Sequence, residues 1–378
     1  MIYNRRKMLW MALLLACAAS LSAWACSVPV FRYALESWPP DVYEMVIFRR
    51  GPFSAKDQEA INVLKQGSDR DDADPCIYYM SVDVAEEIPE QFKKMWKGVE
   101  GQPLPVMVVK FPAYTQIEEP FWSGPLHSDL VEALLISPVR GEIARRILAG
   151  DSSVFVFVGG EDSKENDEFA KKLEDLLKTM QQNLILPEQE PDVYELPEDD
   201  LTNNVLPKLQ LAFSVIRMSR TEPDEKILQA MLNVFEKMVK PPDEKKVGPM
   251  VYAFFGQGRA LGPFFKDDIN EDNLYNLCSF LIGPCSCTVK GMNPGIDVLM
   301  NVDWEGLLTG RLVVDEELPP LSGSMDLVVD KALTKEIKLS EEPPDTSTFG
   351  DLKRNIILVG FLLVIVLLVV TLAMKKRM

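Results

Sequence analysis

The densest chemical cluster in the chain is Cys285-Ser286-Cys287, followed by Lys290 and Asn293-Pro294-Gly295. Two cysteines separated by one residue can close a small strained ring, a disulfide of relatively oxidising potential that is readily reduced. That is the chemistry of a redox switch. Alternatively, each thiol pairs with a distant partner such as Cys26 or Cys76, as a structural staple worth about 2–4 kcal/mol. Cys278 stands on the apolar face of a predicted helix and reads as a small buried thiol.

The remaining chemistry-bearing residues are sparse. His127 is the single histidine, which excludes sites needing two or more imidazoles: most zinc enzymes, the facial-triad iron oxygenases and blue copper. No metal or cofactor is expected. His127, Ser128 and Asp129 are adjacent, so they cannot face one another as a triad, and a capping cluster at a helix start is the simpler reading. Gly256-Gln257-Gly258-Arg259 lacks the third glycine of a phosphate loop and opens no helix, so a tight hairpin turn explains both glycines. Arg140, Arg145 and Arg146 on one helix read as partners for the acidic surface, with a face toward another protein as the alternative.

The elements that would position these residues repeat. Apolar runs and helical periodicities recur in the same order twice. In the first copy strands at Tyr43–Phe48, Ile77–Val82 and Val106–Phe111 alternate with a helix capped by Ser54 and a second helix marked by Ile88, Phe92, Met95 and Trp96. A short edge strand near Phe121 and a helix over Ser128–Ile136 close the set. In the second copy the strands are Ser153–Val158, Leu209–Ile216 and Met250–Phe255. Phe169, Leu173, Leu176, Leu177 and Met180 form one helical stripe, and Ile227, Met231, Phe235 and Met238 another in a helix that starts at Thr221. The last helix is capped by Asn270. Helices are also predicted within Ser27–Trp38 and over Pro138–Leu148.

The order β-α-β-α-β-β-α resembles the thioredoxin fold, here twice over Tyr43 to Leu281. The resemblance implies a proline, usually cis, at the start of each third strand, and Pro105 and Pro249 stand there, beside a groove in which relatives hold extended peptide. It also implies Cys-x-x-Cys where the first strand runs into the first helix, whose N-terminus lowers the thiol pKa. Those positions read Arg49-Arg50-Gly51-Pro52-Phe53-Ser54 and Gly159-Gly160-Glu161-Asp162-Ser163. Neither holds cysteine, so the redox chemistry of the family does not carry over.

The two ends set the expected compartment. Arg5, Arg6 and Lys7 precede the apolar run Met8–Ala19, and Ala23-Trp24-Ala25 offers small residues where a signal peptidase reads, so residues 1–25 are predicted to be a signal peptide. A lipoprotein signal with acylation of Cys17 or Cys26 is the rival reading. Ile356–Ala373 is eighteen residues without a charge, fifteen of them Leu, Ile, Val or Phe, and Lys375-Lys376-Arg377 follows. Residues 355–374 are therefore predicted to cross a membrane, leaving 375–378 cytoplasmic. Between the ends, 26–150 and 151–310 are the two expected domains, the second with a cysteine-containing extension, and the proline-containing stretch 311–354 is a stalk.

Composition fits this outline. Of the 40 basic and 57 acidic side chains, eight and one respectively lie outside Cys26–Gly350, which leaves that portion at −24. Such a charge has the wrong sign for nucleic acid phosphates. The sequence thus predicts an α/β protein of two thioredoxin-like domains on a single-pass C-terminal anchor, facing the periplasm or exterior. A non-catalytic binding or scaffolding role toward another envelope or membrane protein is the leading expectation. A thiol-disulfide oxidoreductase or redox sensor using Cys285 and Cys287 is the alternative.

Overall fold

The computed structural model of the chain describes residues 28–68, 76–187, 209–239, 248–285 and 289–308. The predicted signal peptide, stalk and membrane span lie outside them, as do Cys26 and Cys287. No helix among the described residues is long and apolar enough to cross a membrane.

Two mixed sheets give an α/β architecture. In the first, β1 (Tyr43–Arg49) runs parallel to β2 (Ile77–Asp83) and antiparallel to β3 (Val106–Lys110), which pairs with β4 (Trp122–Pro125), so the order across the sheet is β2-β1-β3-β4. Because β1 is covered on both faces, it reads as an unbroken apolar run instead of an alternation. Met45 and Ile47 pack with α2 (Ala55–Ser68) and α4 (Ser128–Leu135), while Val46 and Phe48 pack with α3 (Glu90–Val99).

The second sheet repeats the plan with β5 (Ser153–Val158) at its centre, parallel to β6 (Phe213–Met218) and antiparallel to β7 (Met250–Phe255), then β8 (Arg259–Phe265) and β9 (Ile296–Asp297). Phe155 and Phe157 pack with α6 (Ser163–Asn183) and α8 (Glu271–Ile282). Val154, Val156 and Val158 share a cluster with α7 (Lys226–Val239). Each such buried side chain contributes about 1.5–3 kcal/mol relative to exposure.

Two features join the halves. One apolar cluster runs from Met45 and Ile47 through Phe111 to Phe235, whose rings are 5.2 Å apart, and on to Tyr252. Between the halves lies α5 (Pro138–Leu148), which starts at the cap Ser137 and has proline in its first turn, where the missing N–H costs nothing. Buried Glu225 accepts from the Val139 amide at 2.7 Å and from the Ser137 hydroxyl, fixing the start of α5 to the second half.

The first helix, α1 (Val30–Ser37), belongs to the second half although it precedes the first. Pro29 and Pro284 form an antiparallel bridge, Cys285 N donates to Val28 O at 2.9 Å, and Val30, Phe31 and Ala34 sit in the core under α8. The stretch after β9 also returns to the core, burying Val298, Leu299, Met300 and, in the short helix α9 (Trp304–Leu308), Trp304 and Leu307.

Several expectations are corrected. Arg140 is not a surface residue: it is buried and donates to Leu299 O at 2.6 Å, Leu134 O at 3.0 Å and Ala133 O at 3.4 Å, because three carbonyls converge on it. His127 occupies the N-cap position of α4 without a capping hydrogen bond from its side chain. Before α7, Thr221 is not the cap; a 3₁₀ turn over Pro223–Glu225 intervenes. Met238 is exposed, since the α7 stripe ends one turn earlier.

Candidate functional site

The turn after β1 is built around Arg49. Its Nη1 lies 2.8 Å from Asp83 Oδ2 at the end of β2 and also donates to Gly51 O, while its guanidinium carbon sits 5.3 Å from the centre of the Phe53 ring. Asp83 in turn accepts from the Gly51 amide at 3.1 Å and the Ala85 amide at 3.0 Å. The Ala85 amide first, then the Gly51 amide and the Arg49 charge, hold the Asp83 carboxyl below its usual range. Gly51 has φ +72, a conformation that favours glycine. Ser54 and Asp57 then cap α2 reciprocally, with Ser54 N to Asp57 Oδ2 at 2.7 Å and Asp57 N to Ser54 Oγ at 3.3 Å.

The equivalent turn after β5 has a different brace in the same place. Asn166 accepts from Gly160 N at 2.8 Å and donates to Gly160 O at 3.0 Å, and Asp162 caps α6 through the Lys164 and Glu165 amides. Arg220, from the end of β6, donates to Gly159 O at 3.2 Å, Gly248 O at 3.1 Å and Glu236 Oε2 at 2.9 Å.

Of the two predicted cis-prolines one is found. Leu104–Pro105 is cis, and because Val106 pairs with Phe48, Pro105 lies level with the Arg49 turn. Gly248–Pro249 is not cis, and the Gly248 carbonyl accepts from Arg220. The second cis bond is Gly262–Pro263, inside β8 at the register shift opposite Val251 and Ala253. The expected hairpin at Gly256–Gly258 is present, with Phe255 opposite Arg259.

The cysteines are spread. Cys76 is in the cluster shared by both halves, with its sulfur 3.6 Å from Asn301 Oδ1, whereas Cys285 is buried in the second cluster. Cys278 is a buried unpaired thiol whose pKa burial pushes up to about 12. Among the described residues no three His, Cys, Asp or Glu side chains are grouped as metal ligands would be.

Two features were not foreseen. The first is a buried charge cluster. Arg259, 3% exposed, donates to Asp297 Oδ1 at 3.0 Å, Pro294 O at 2.9 Å, Asn293 O at 2.7 Å and Lys290 O at 3.3 Å, and lies 5.7 Å from the Trp38 ring centre. The other Asp297 oxygen meets Lys290 Nζ, which also reaches Asp41 at 3.1 Å. Tyr114 donates to Asp41 at 2.5 Å, and Tyr43 to the Asp297 carbonyl at 2.6 Å. Burial pushes the Asp297 carboxyl up to about 6 against the pull of Lys290 and Arg259.

The second is a cleft of about 880 Å³ between α3 and the loop 111–121, lined also by Val108 and Ser123. Met95, Val99 and Ile117 give it apolar walls. It opens at the Lys110 end of β3, about five residues or roughly 17 Å from Pro105 at strand rise, so it is distinct from the expected cis-proline groove. Lys94 and Glu118 meet across it at 2.5 Å.

No family model matches the chain, and no curated protein matches it. Among solved structures, the crystal structure of ERdj5 form II is similar over 71% of this chain and 32% of that chain, at 14% identity and a TM-score of 0.18. The chain thus spans about a third of that structure's length.

Proposed function

We propose that the chain is a non-catalytic binding or scaffolding module: two thioredoxin-like halves held on the exported face of a membrane by the predicted Ile356–Ala373 span, serving another envelope or membrane protein. The strand orders β2-β1-β3-β4 and β6-β5-β7-β8, with their parallel and antiparallel senses, support the fold reading in both halves. One observation carries the functional reading. At both turns where the fold's enzymes present a thiol pair, a polar brace stands instead: Arg49 with Asp83 in the first half, and Asn166 on Gly160 with Arg220 on the Gly159 carbonyl in the second. A turn so braced offers neither nucleophile nor exchangeable sulfur.

The sensor alternative draws less support. Cys285 is buried beneath α8 with its amide engaged by Val28 O, whereas a responsive thiol needs access and a lowered pKa.

The test uses the full chain in lipid nanodiscs. Insulin reduction and dithiol oxidation should stay at the level of empty nanodiscs, with or without glutathione. Turnover that disappears in Cys285→Ser would overturn the non-catalytic reading, and protection of the folded portion from protease added outside spheroplasts, lost only on permeabilisation, would overturn its orientation.

A further inference from the structure

We propose that the cleft between α3 and the loop 111–121 binds a short, uncharged, apolar segment of extended peptide from another protein. This rests on the binding-module reading and names the site and the chemistry of its occupant.

Shape comes first. Gln91, Met95, Gly98 and Val99 line one wall at helical spacing. The eight steps from Gln91 to Val99, at about 1.5 Å rise, make a wall of roughly 12 Å, the reach of about four residues of extended chain. A volume near 880 Å³ is within the range that encloses a ligand of that size.

Charge comes next. The charged side chains lining the cleft are already paired: Lys94 with Glu118 at 2.5 Å, Lys110 with Glu44 at 2.6 Å, and Glu119 with Lys237 at 3.9 Å. A ligand charge placed against the apolar lining finds no unpaired counter-ion there and stays desolvated, which is costly; an uncharged ligand meets no such penalty. The Lys94–Glu118 pair bridges helix to loop at the cleft mouth, and both side chains are largely exposed, so opening it costs little.

Polar complementarity selects a peptide over a plain hydrocarbon. Gln91, Gln116 and Ser123 line the cleft, and none of their side chains is hydrogen-bonded among the described residues. Two amides and a hydroxyl supply donors and acceptors of the kind peptide groups need. Gln116 is the one non-glycine residue at positive φ among the described residues, φ 58, held there by its amide bond to Ala113 O. Finally, a Cβ added at Gly98 would meet nothing within 4 Å. A glycine in a helix costs about 1 kcal/mol against alanine, and no neighbouring atom requires it here. Its effect is to leave the helix backbone open to whatever occupies the cleft.

The experiment is photolabelling of the full chain in nanodiscs with the capped peptide acetyl-Ala-Leu-Val-Ala-amide, its leucine carrying a diazirine, and mapping of the adducts by mass spectrometry. Adducts are expected on Gln91–Val99 and Phe111–Ser123. Peptides with aspartate or lysine in place of the valine should label about tenfold less, a difference of roughly 1.4 kcal/mol. Gly98→Trp, which places a bulky side chain on the cleft lining where an added Cβ meets no atom within 4 Å, should reduce labelling by a similar factor while its thermal melt is unchanged, and Gly98→Ala should label as wild type. Labelling that ignores Gly98→Trp, or is equal for charged peptides, overturns the proposal. So does labelling of the cleft by a diazirine fatty acid but not by peptide, which would make it a lipid site. Adducts confined to the turn beside Pro105 would remove the cleft while sustaining the binding-module reading. Absence of peptide adducts anywhere would remove the proposal, with the non-catalytic reading still judged by the thiol-exchange assays.

Discussion

Replacing Arg259 by methionine should be among the most damaging single changes in the molecule. The guanidinium is 3% exposed and makes four hydrogen bonds, one to Asp297 and three to carbonyls of the segment 290–294. An exposed ion pair contributes about 0–1 kcal/mol, but removing one partner of a buried pair costs about 3–5 kcal/mol, because the other charge stays desolvated. Lys290 remains beside Asp297 in the variant, which places the expected loss at the lower end, about 3 kcal/mol. At about 2–4 °C per kcal/mol this lowers the melting temperature by roughly 10 °C. Urea unfolding followed by tryptophan fluorescence gives the first number, since Trp38 lies against Arg259. Hydrogen exchange gives the second: protection should fall first at Ile296, Asp297 and Val298. Arg259→Lys, which keeps the charge but cannot reach the same carbonyls, should fall between the two. A loss below about 1 kcal/mol in Arg259→Met, with unchanged exchange, would show that the cluster is hydrated and refute the argument.

Four further outcomes are expected. Because Asp297 is held at about 6 in the folded protein against an ordinary value near 4, the folded state binds the extra proton in that window; stability relative to Asp297→Asn should therefore fall as pH rises from about 4 to 6, by roughly 3 kcal/mol, as measured by denaturant titrations at several pH values. Glu225→Ala leaves the buried Ser137 hydroxyl and the part-buried Val139 amide without their acceptor and should cost about 2–4 kcal/mol, read by urea unfolding; a neutral result would mean that α5 is not fixed through Glu225. Cys278 should resist iodoacetamide at pH 8 in the native chain and react only in denaturant, its pKa being pushed up to about 12, and rapid native labelling would contradict its burial. In an exported chain Cys287 is expected to pair with a distant cysteine such as Cys26 as a staple, so peptide mapping without reductant should recover a long-range link, and a Cys285–Cys287 link would favour the sensor.

Where the sequence was legible, one element's own residues contained the signal. Ser153–Val158 and Met250–Phe255 are strands with the predicted bounds because centrally placed strands are apolar throughout. Ser54 and Asn270 cap their helices as expected, a matter of three or four residues. Leu209 and Leu211 misled: they are apolar and partly buried against the second cluster, but β6 starts only at Phe213. Arg140 and Arg259 were unreadable as buried, since the carbonyls and carboxylate that accept from them lie as far as 159 positions away. The cleft has no local signature either. It is the space left between a helix and a loop, and only Gly98, a helix breaker without a packing reason, hinted at it.

The pairing of the leading segment with the far side of the second sheet makes the first half an insertion, in the topological sense, between α1 and β5. A chain emerging N-terminus first would present Val30, Phe31 and Ala34 to solvent until partners such as Gln257, 222 positions beyond Leu35, had followed. A fragment cut at residue 150 would therefore strand an apolar helix on one piece and open its docking surface on the other. Expression of either half alone invites chaperone capture, and the order in which the segments emerge becomes part of how this molecule is assembled.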